Sequence, residues 1–171
     1  MIHILKLAYQ YKDKLQTAYS NVVFQDKYKF YNYDNYWNYT LKLSENSWDD
    51  IVMVSVDNEN NVRGYLGAGI SRTSDKISSL GIMNFYEPNI IFSKDLYQFL
   101  KDLFEKYNFR KIEFSVVIGN PIEKMYDKYI NKYNGNIIGI KKATTKLQDG
   151  KYYDVKHYEI FKEDYLKAIN I

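Results

Sequence analysis

The chain has 171 residues, enough for one domain with a sizeable core. Its 24 Lys and Arg exceed its 21 Asp and Glu by three, an excess too small and too scattered to indicate nucleic acid. With no cysteine and only two histidines, His3 and His157, the chain holds no disulfide, no thiolate metal site and no histidine-rich metal centre.

No uninterrupted apolar run approaches the ~20 residues of a membrane span. The opening "MIHILKLAYQ" lacks the basic-then-apolar layout of a signal peptide, so a soluble cytoplasmic protein is expected. The 19 tyrosines could furnish a binding surface, but they are spread along the whole chain, which favours compositional bias.

"IHILKL" alternates apolar and polar residues and predicts a first strand. Over residues 11–24, Leu15, Ala18, Tyr19 and Val22 recur at helical spacing and predict a short amphipathic helix. "KYKFYNYDNYWNYTLKL" predicts a second, irregular helix ending near Leu43, anchored by Tyr36, Trp37 and Tyr39. "DIVMVSV", the turn "DNENN" and "VRGYLGAGI" predict a hairpin. Its glycines at 64, 67 and 69 weaken the second strand unless something approaches the backbone closely there. "SRTSDK" is a further turn, and "ISSLGIMNFY" completes three antiparallel strands in series.

From Ser93 the period changes. Leu96, Phe99, Leu100, Leu103, Phe104 and Tyr107 make one apolar stripe on a helix, with Ser93 as expected N-cap and Phe92 stapled against Tyr97. "RKIEFSVVI" follows as a strand, so this strand–helix–strand unit predicts a right-handed crossover to a parallel neighbour. A further helix starts at Asn120 as N-cap, with Pro121 at the first position and Glu123 at the third, and is expected to stop at Gly135. "NIIGIKKATTKL", "QDG" and "KYYDVKHYEIF" form a closing hairpin, and "KEDYLKAIN" a last helix.

This order of elements resembles the GCN5-related N-acetyltransferase (GNAT) family over about residues 51–161. "VVIGNPIEKMYDKYINKYNGNIIG" is similar to the family's second signature of strand, asparagine, tyrosine-bearing helix and glycine. "DGKYYDVKHYEI" is similar to its last strand. The resemblance implies a single GNAT-like domain spanning 1–171 and an α/β fold (α+β in stricter usage). Its mixed, mostly antiparallel sheet of about seven strands would be flanked by helices.

It further implies an acetyl-CoA-dependent N-acetyltransferase, with a small-molecule or peptide amine as acceptor and direct attack in a ternary complex. Pantetheine would pair with strand backbone around Met83, Asn84 and Phe85, where the fourth and fifth strands part. The diphosphate would meet the helix start at Ser93 and Lys94, and Asn120 would contact the cofactor. Tyr126 would protonate the departing thiolate, and Glu87 would serve as general base, with Glu159 and His157 as alternatives.

Each assignment has a plainer alternative. Tyr126 stands six residues after Asn120, where the family usually has seven. Tyr129 shares its face, and Ile122, Tyr126, Tyr129 and Tyr133 could be a packing stripe. Asn120 could be a simple helix cap, and His3 is expected to be structural. The glycines of "GYLGAGI" could open room for an acceptor amine or relieve crowding under aromatic side chains. Tyr36, Trp37 and Tyr39 could line an acceptor pocket or pack on the sheet.

One departure is clear. The family's loop before the phosphate-binding helix is Gln or Arg, two residues, Gly, one residue, then Gly or Ala. Here it is replaced by "EPNIIFSKDL", whose bulky Ile90, Ile91 and Phe92 are expected to narrow the approach. Asp95, expected in the first helical turn, would repel a diphosphate. A catalytically inactive binding or assembly module is therefore the alternative function, and a homodimer is left open.

Overall fold

The computed structural model describes residues 5–30, 41, 43–45 and 47–169. Its elements are β1 Lys6–Leu7, α1 Lys12–Val22, β2 Asp50–Val56, β3 Val62–Ser71 and β4 Lys76–Asn84, then α2 Ile90–Glu105, β5 Lys111–Val117, α3 Glu123–Lys132, β6 Asn136–Lys146, β7 Tyr152–Phe161 and α4 Lys162–Ile169. The seven strands form one sheet in the order β1-β2-β3-β4-β5-β7-β6. Among the described neighbouring strands only β4 and β5 run parallel, and α2 is the crossover between them. This is the mixed, mostly antiparallel architecture expected from the order of elements. His3 and the anchors Tyr36, Trp37 and Tyr39 lie outside the described residues. No described helix is long and apolar enough to cross a membrane.

Beside a small third cluster of Val117, Leu147 and Val155, two large cores sandwich the sheet. The larger joins α2, α3 and α4 to one sheet face, with Leu66, Ile77, Phe99, Leu103, Ile112 and Tyr158 at its centre. The smaller packs α1 on the other face, through Leu15 and Tyr19 against Val54, Val56, Met83 and Phe85. The α2 stripe is buried as its period demands, from Leu96 through Phe104, each such side chain contributing roughly 1.5–3 kcal/mol.

Three helix boundaries differ from expectation. Helix α2 begins at Ile90, three residues before Ser93, because Asn89 caps it: its Oδ1 accepts the Phe92 N–H at 3.0 Å. Ser93 lies in the first turn and its hydroxyl bonds back to the Asn89 carbonyl at 3.1 Å. Asp95 thus falls beyond the first turn and is buried, so it does not face the helix mouth as a free charge.

Helix α3 begins at Glu123. Asn120 instead ties the turn before it, its Oδ1 accepting the Ile122 N–H at 3.1 Å, while Glu123 Oε2 accepts the Gly119 N–H at 3.0 Å. At the other end of α3, Asn134 takes the left-handed conformation that Gly135 was expected to supply. Gly135 is needed for closeness: a Cβ there would come within 2.8 Å of the Glu159 carbonyl on β7.

Candidate active site

β4 and β5 are joined only at their beginnings, through the pairs Lys76–Lys111 and Ile77–Ile112. Two local causes separate them beyond that point. The β3–β4 register slips between Gly69 and Ile70, a bulge that turns β4. β5, by contrast, stays paired with β7 along its full length, from Lys111–Phe161 to Val117–Val155. The parted strands enclose a cavity of about 270 Å3. Its wall includes Gly81, Ile82 and Met83 of β4 and Ser115, Val116 and Val117 of β5. Side chains alternate across a strand, so the cavity takes residues from both sheet faces and passes through the sheet.

Of the site residues implied by the resemblance, Met83, Asn120 and Tyr126 line this cavity. Tyr126 is buried, its ring edge-on to Phe114 at 4.8 Å and to Tyr158 at 6.0 Å. Its competitor Tyr129 does not reach the cavity. Tyr129 packs on Tyr133 at 4.7 Å, its hydroxyl has no hydrogen-bond partner, and burial holds its pKa far above the ordinary tyrosine value.

Asn84, Phe85, Glu87, Ser93 and Lys94 lie off the cavity wall. Asn84 accepts from Asn89 Nδ2 at 2.7 Å, and the Phe85 N–H is given to the Arg63 carbonyl at 3.2 Å. Glu87 is exposed beyond the end of β4, and Lys94 is exposed on α2. Ile90 is exposed, and Phe92 is buried over Gly64, so the bulky helix mouth does not plug the slot. Glu159 is bound to Lys111 at 2.6 Å. His157 pairs with Ser115 in the ladder; its Nε2 is buried without a partner, and burial, then Lys141, lowers its pKa.

Tyr65 is the feature that sequence patterns missed. Gly67 and Gly81 are cross-strand partners, and the Tyr65 ring lies over both: a Cβ on Gly67 would stand 2.7 Å from its hydroxyl. On β3, Gly64 under Phe92 and Gly67 under Tyr65 make room for aromatic side chains, the second of the two roles expected of that strand's glycines, and Gly81 across the ladder does the same for Tyr65. Burial, then the Asp50 carboxylate, pushes Tyr65 up to about 12, so it stays protonated. With Tyr19, Phe30 and Leu41 it forms the cavity wall on the α1 side. The signal was present as a tyrosine two residues before a strand glycine, on the same face.

No protein-family model matches the chain, and no curated protein does. Solved structures do. Spermidine/spermine N-acetyltransferase SpeG from Vibrio cholerae superposes with a TM-score of 0.60 at 20% identity, over 71% of this chain and 70% of that one. A chimera of Vibrio cholerae SpeG with hSSAT gives 0.57 at 23% identity, over 69% and 71%. A strand order with one parallel junction, opened into a cavity at that junction, and these superpositions together give the chain the fold of the GNAT-type N-acetyltransferases.

Proposed function

We propose that this chain is an acetyl-CoA-dependent N-acetyltransferase acting on an amine by direct attack in a ternary complex. The observation that carries this is the cavity at the parting of β4 and β5, with Tyr126 in its wall. Acetyl-CoA would supply the thioester. Backbone of β4 beyond Ile77, no longer laddered to β5, offers N–H and C=O groups to an amide-bearing arm. Met83 and Asn120 line the slot it would occupy.

At the mouth of α2 the N–H groups of Ile90 and Ile91 precede the first intrahelical bond and suit an anion, with Ser93 and Lys94 following in the same turns. The acceptor nitrogen would form the new C–N bond as the C–S bond breaks. Tyr126 would give its hydroxyl proton to the sulfur and regain one from solvent, to which the nitrogen's proton would leave. The position of Glu87 lends no support to a general-base role.

One observation favours the second reading, a GNAT-like binding module without catalysis. Asn89 already takes the Phe92 N–H, and the helix mouth has no glycine, so its grip on a diphosphate is reduced.

Thiol release from acetyl-CoA with an amine panel decides between them. Tyr126→Phe is expected to cut turnover about 100-fold while leaving acetyl-CoA affinity nearly intact. Equal turnover in that variant would end the proton-donor assignment. Failure of the native chain to bind acetyl-CoA, CoA or longer acyl-CoAs would favour the binding module.

A further inference from the structure

The cavity has two unlike halves. On the α3 side, Ile82, Val116, Ile122 and Tyr126 meet the slot proposed for the thioester arm. On the α1 side, three aromatic rings, Tyr19, Phe30 and Tyr65, stand with Leu41 around the space where an acceptor would approach. We propose that this half selects a monoamine carried on an aromatic or branched apolar body, and that Tyr65, seated in the Gly67–Gly81 trough, is the residue that sets its shape. The inference rests on the acetyltransferase reading and deepens it by naming the acceptor class.

Charge and shape both support it. Among the described residues the cavity wall holds no carboxylate; its polar members are Ser79, Ser115, Asn120 and tyrosine hydroxyls. Against these described residues a polyamine would leave further ammonium groups without a paired anion, which is costly. A monoamine presents its one nitrogen to the thioester and buries only apolar surface against the rings. Faces of Tyr and Phe also attract an arriving ammonium before it loses its proton.

The seat of Tyr65 is built. On β3 and β4 two glycines face each other across the ladder, and the ring occupies the space their side chains would take. A methyl at Gly67 must displace the ring, and the cavity wall with it. A methyl at Gly81 meets the ring at 3.4 Å, an ordinary contact. A side chain at Gly67 is therefore the change that reshapes the acceptor wall through Tyr65.

The test is equilibrium titration of the full chain with 2-phenylethylamine, 3-methylbutylamine and spermidine, each with and without acetyl-CoA, followed by steady-state kinetics. The two monoamines should bind at least tenfold more tightly than spermidine. Gly67→Ala should weaken 2-phenylethylamine at least tenfold, raise its KM in step and leave acetyl-CoA affinity within twofold. Melting curves confirm that each variant folds; if Gly67→Ala does not, Tyr65→Leu takes its place with the same expectation. A preference for spermidine overturns the proposal, as does a loss of acetyl-CoA affinity equal to the loss of amine affinity. If acetyl-CoA does not bind but the amines titrate and Gly67→Ala weakens them, the transferase reading fails while the pocket assignment stands.

Discussion

Tyr126 and Tyr129 show how little separates a site residue from a packing residue. Both occupy the buried face of α3, three positions apart, and both belong to the same apolar stripe. Only the parting of the neighbouring strands puts Tyr126 beside a cavity while Tyr129 packs on Tyr133. Sequence spacing left the two open because a helical period assigns a face and says nothing of what that face meets.

His157 carries a consequence at the same scale. Its imidazole is disfavoured as a cation, first by burial and then by Lys141, and its Nε2 has no partner to stabilise a proton. A folded pKa below the unfolded one gives stability that is present above the unfolded value, near ~6.5, and lost as pH falls through the folded value. The melting temperature should therefore drop as pH falls from 7 to 5, and His157→Gln should shrink that drop. An identical pH profile in the variant would exclude His157 as a contributor.

Among the elements, the β2–β3 hairpin shows the strongest local encoding. "DNENN" announced a turn, and the structure shows why it holds. Asp57 Oδ1 accepts the N–H groups of Glu59 at 2.9 Å and Asn61 at 2.8 Å, and Oδ2 accepts from Arg63 at 2.6 Å. Burial opposes ionisation of this carboxyl, but the bonds from Asn61, Arg63 and Glu59 outweigh it and hold the pKa at about 2. The stabilisation is thus complete above ~4, the unfolded value, and disappears as pH falls toward 2. Asp57→Ala should cost about 1–3 kcal/mol at neutral pH, read as a lower denaturant midpoint, and much less near pH 2.

The start of α2 was harder to read. Ser93 and Asn89 are both good caps, and the choice fell to Asn89 because its Nδ2 also reaches the Arg63 carbonyl at 2.9 Å and Asn84 at 2.7 Å. Those partners are remote in sequence or arise only once β3 and β4 are paired. The bulge near Ser78 was illegible for a similar reason, since a register slip exists only relative to a partner strand.

For the molecule as a whole, the parted strands predict a measurable linkage. If the cavity takes acetyl-CoA, a concentration 100 times Kd should add about 2.7 kcal/mol to stability, which at ~2–4 °C per kcal/mol raises Tm by roughly 5–10 °C. A melting temperature unmoved by acetyl-CoA at millimolar concentration would count against occupancy of the slot. The large α2–α3–α4 core should keep the transition cooperative in either case.

Among the described residues, the sequence by itself determined the strands and main helices, their order and the one parallel junction. Hydrophobic period, turn residues and a helix between two strands are local properties, and handedness rules fix how such a crossover closes. Its resemblance to the family also pointed to Met83, Asn120 and Tyr126, which line the cavity. Tertiary structure alone decided that the junction opens, that Glu87 stands off the cavity and that Lys111 engages Glu159. It also decided that Gly67 and Gly81 seat Tyr65. Each of these depends on atoms brought together from distant parts of the chain, and no local pattern encodes their distances.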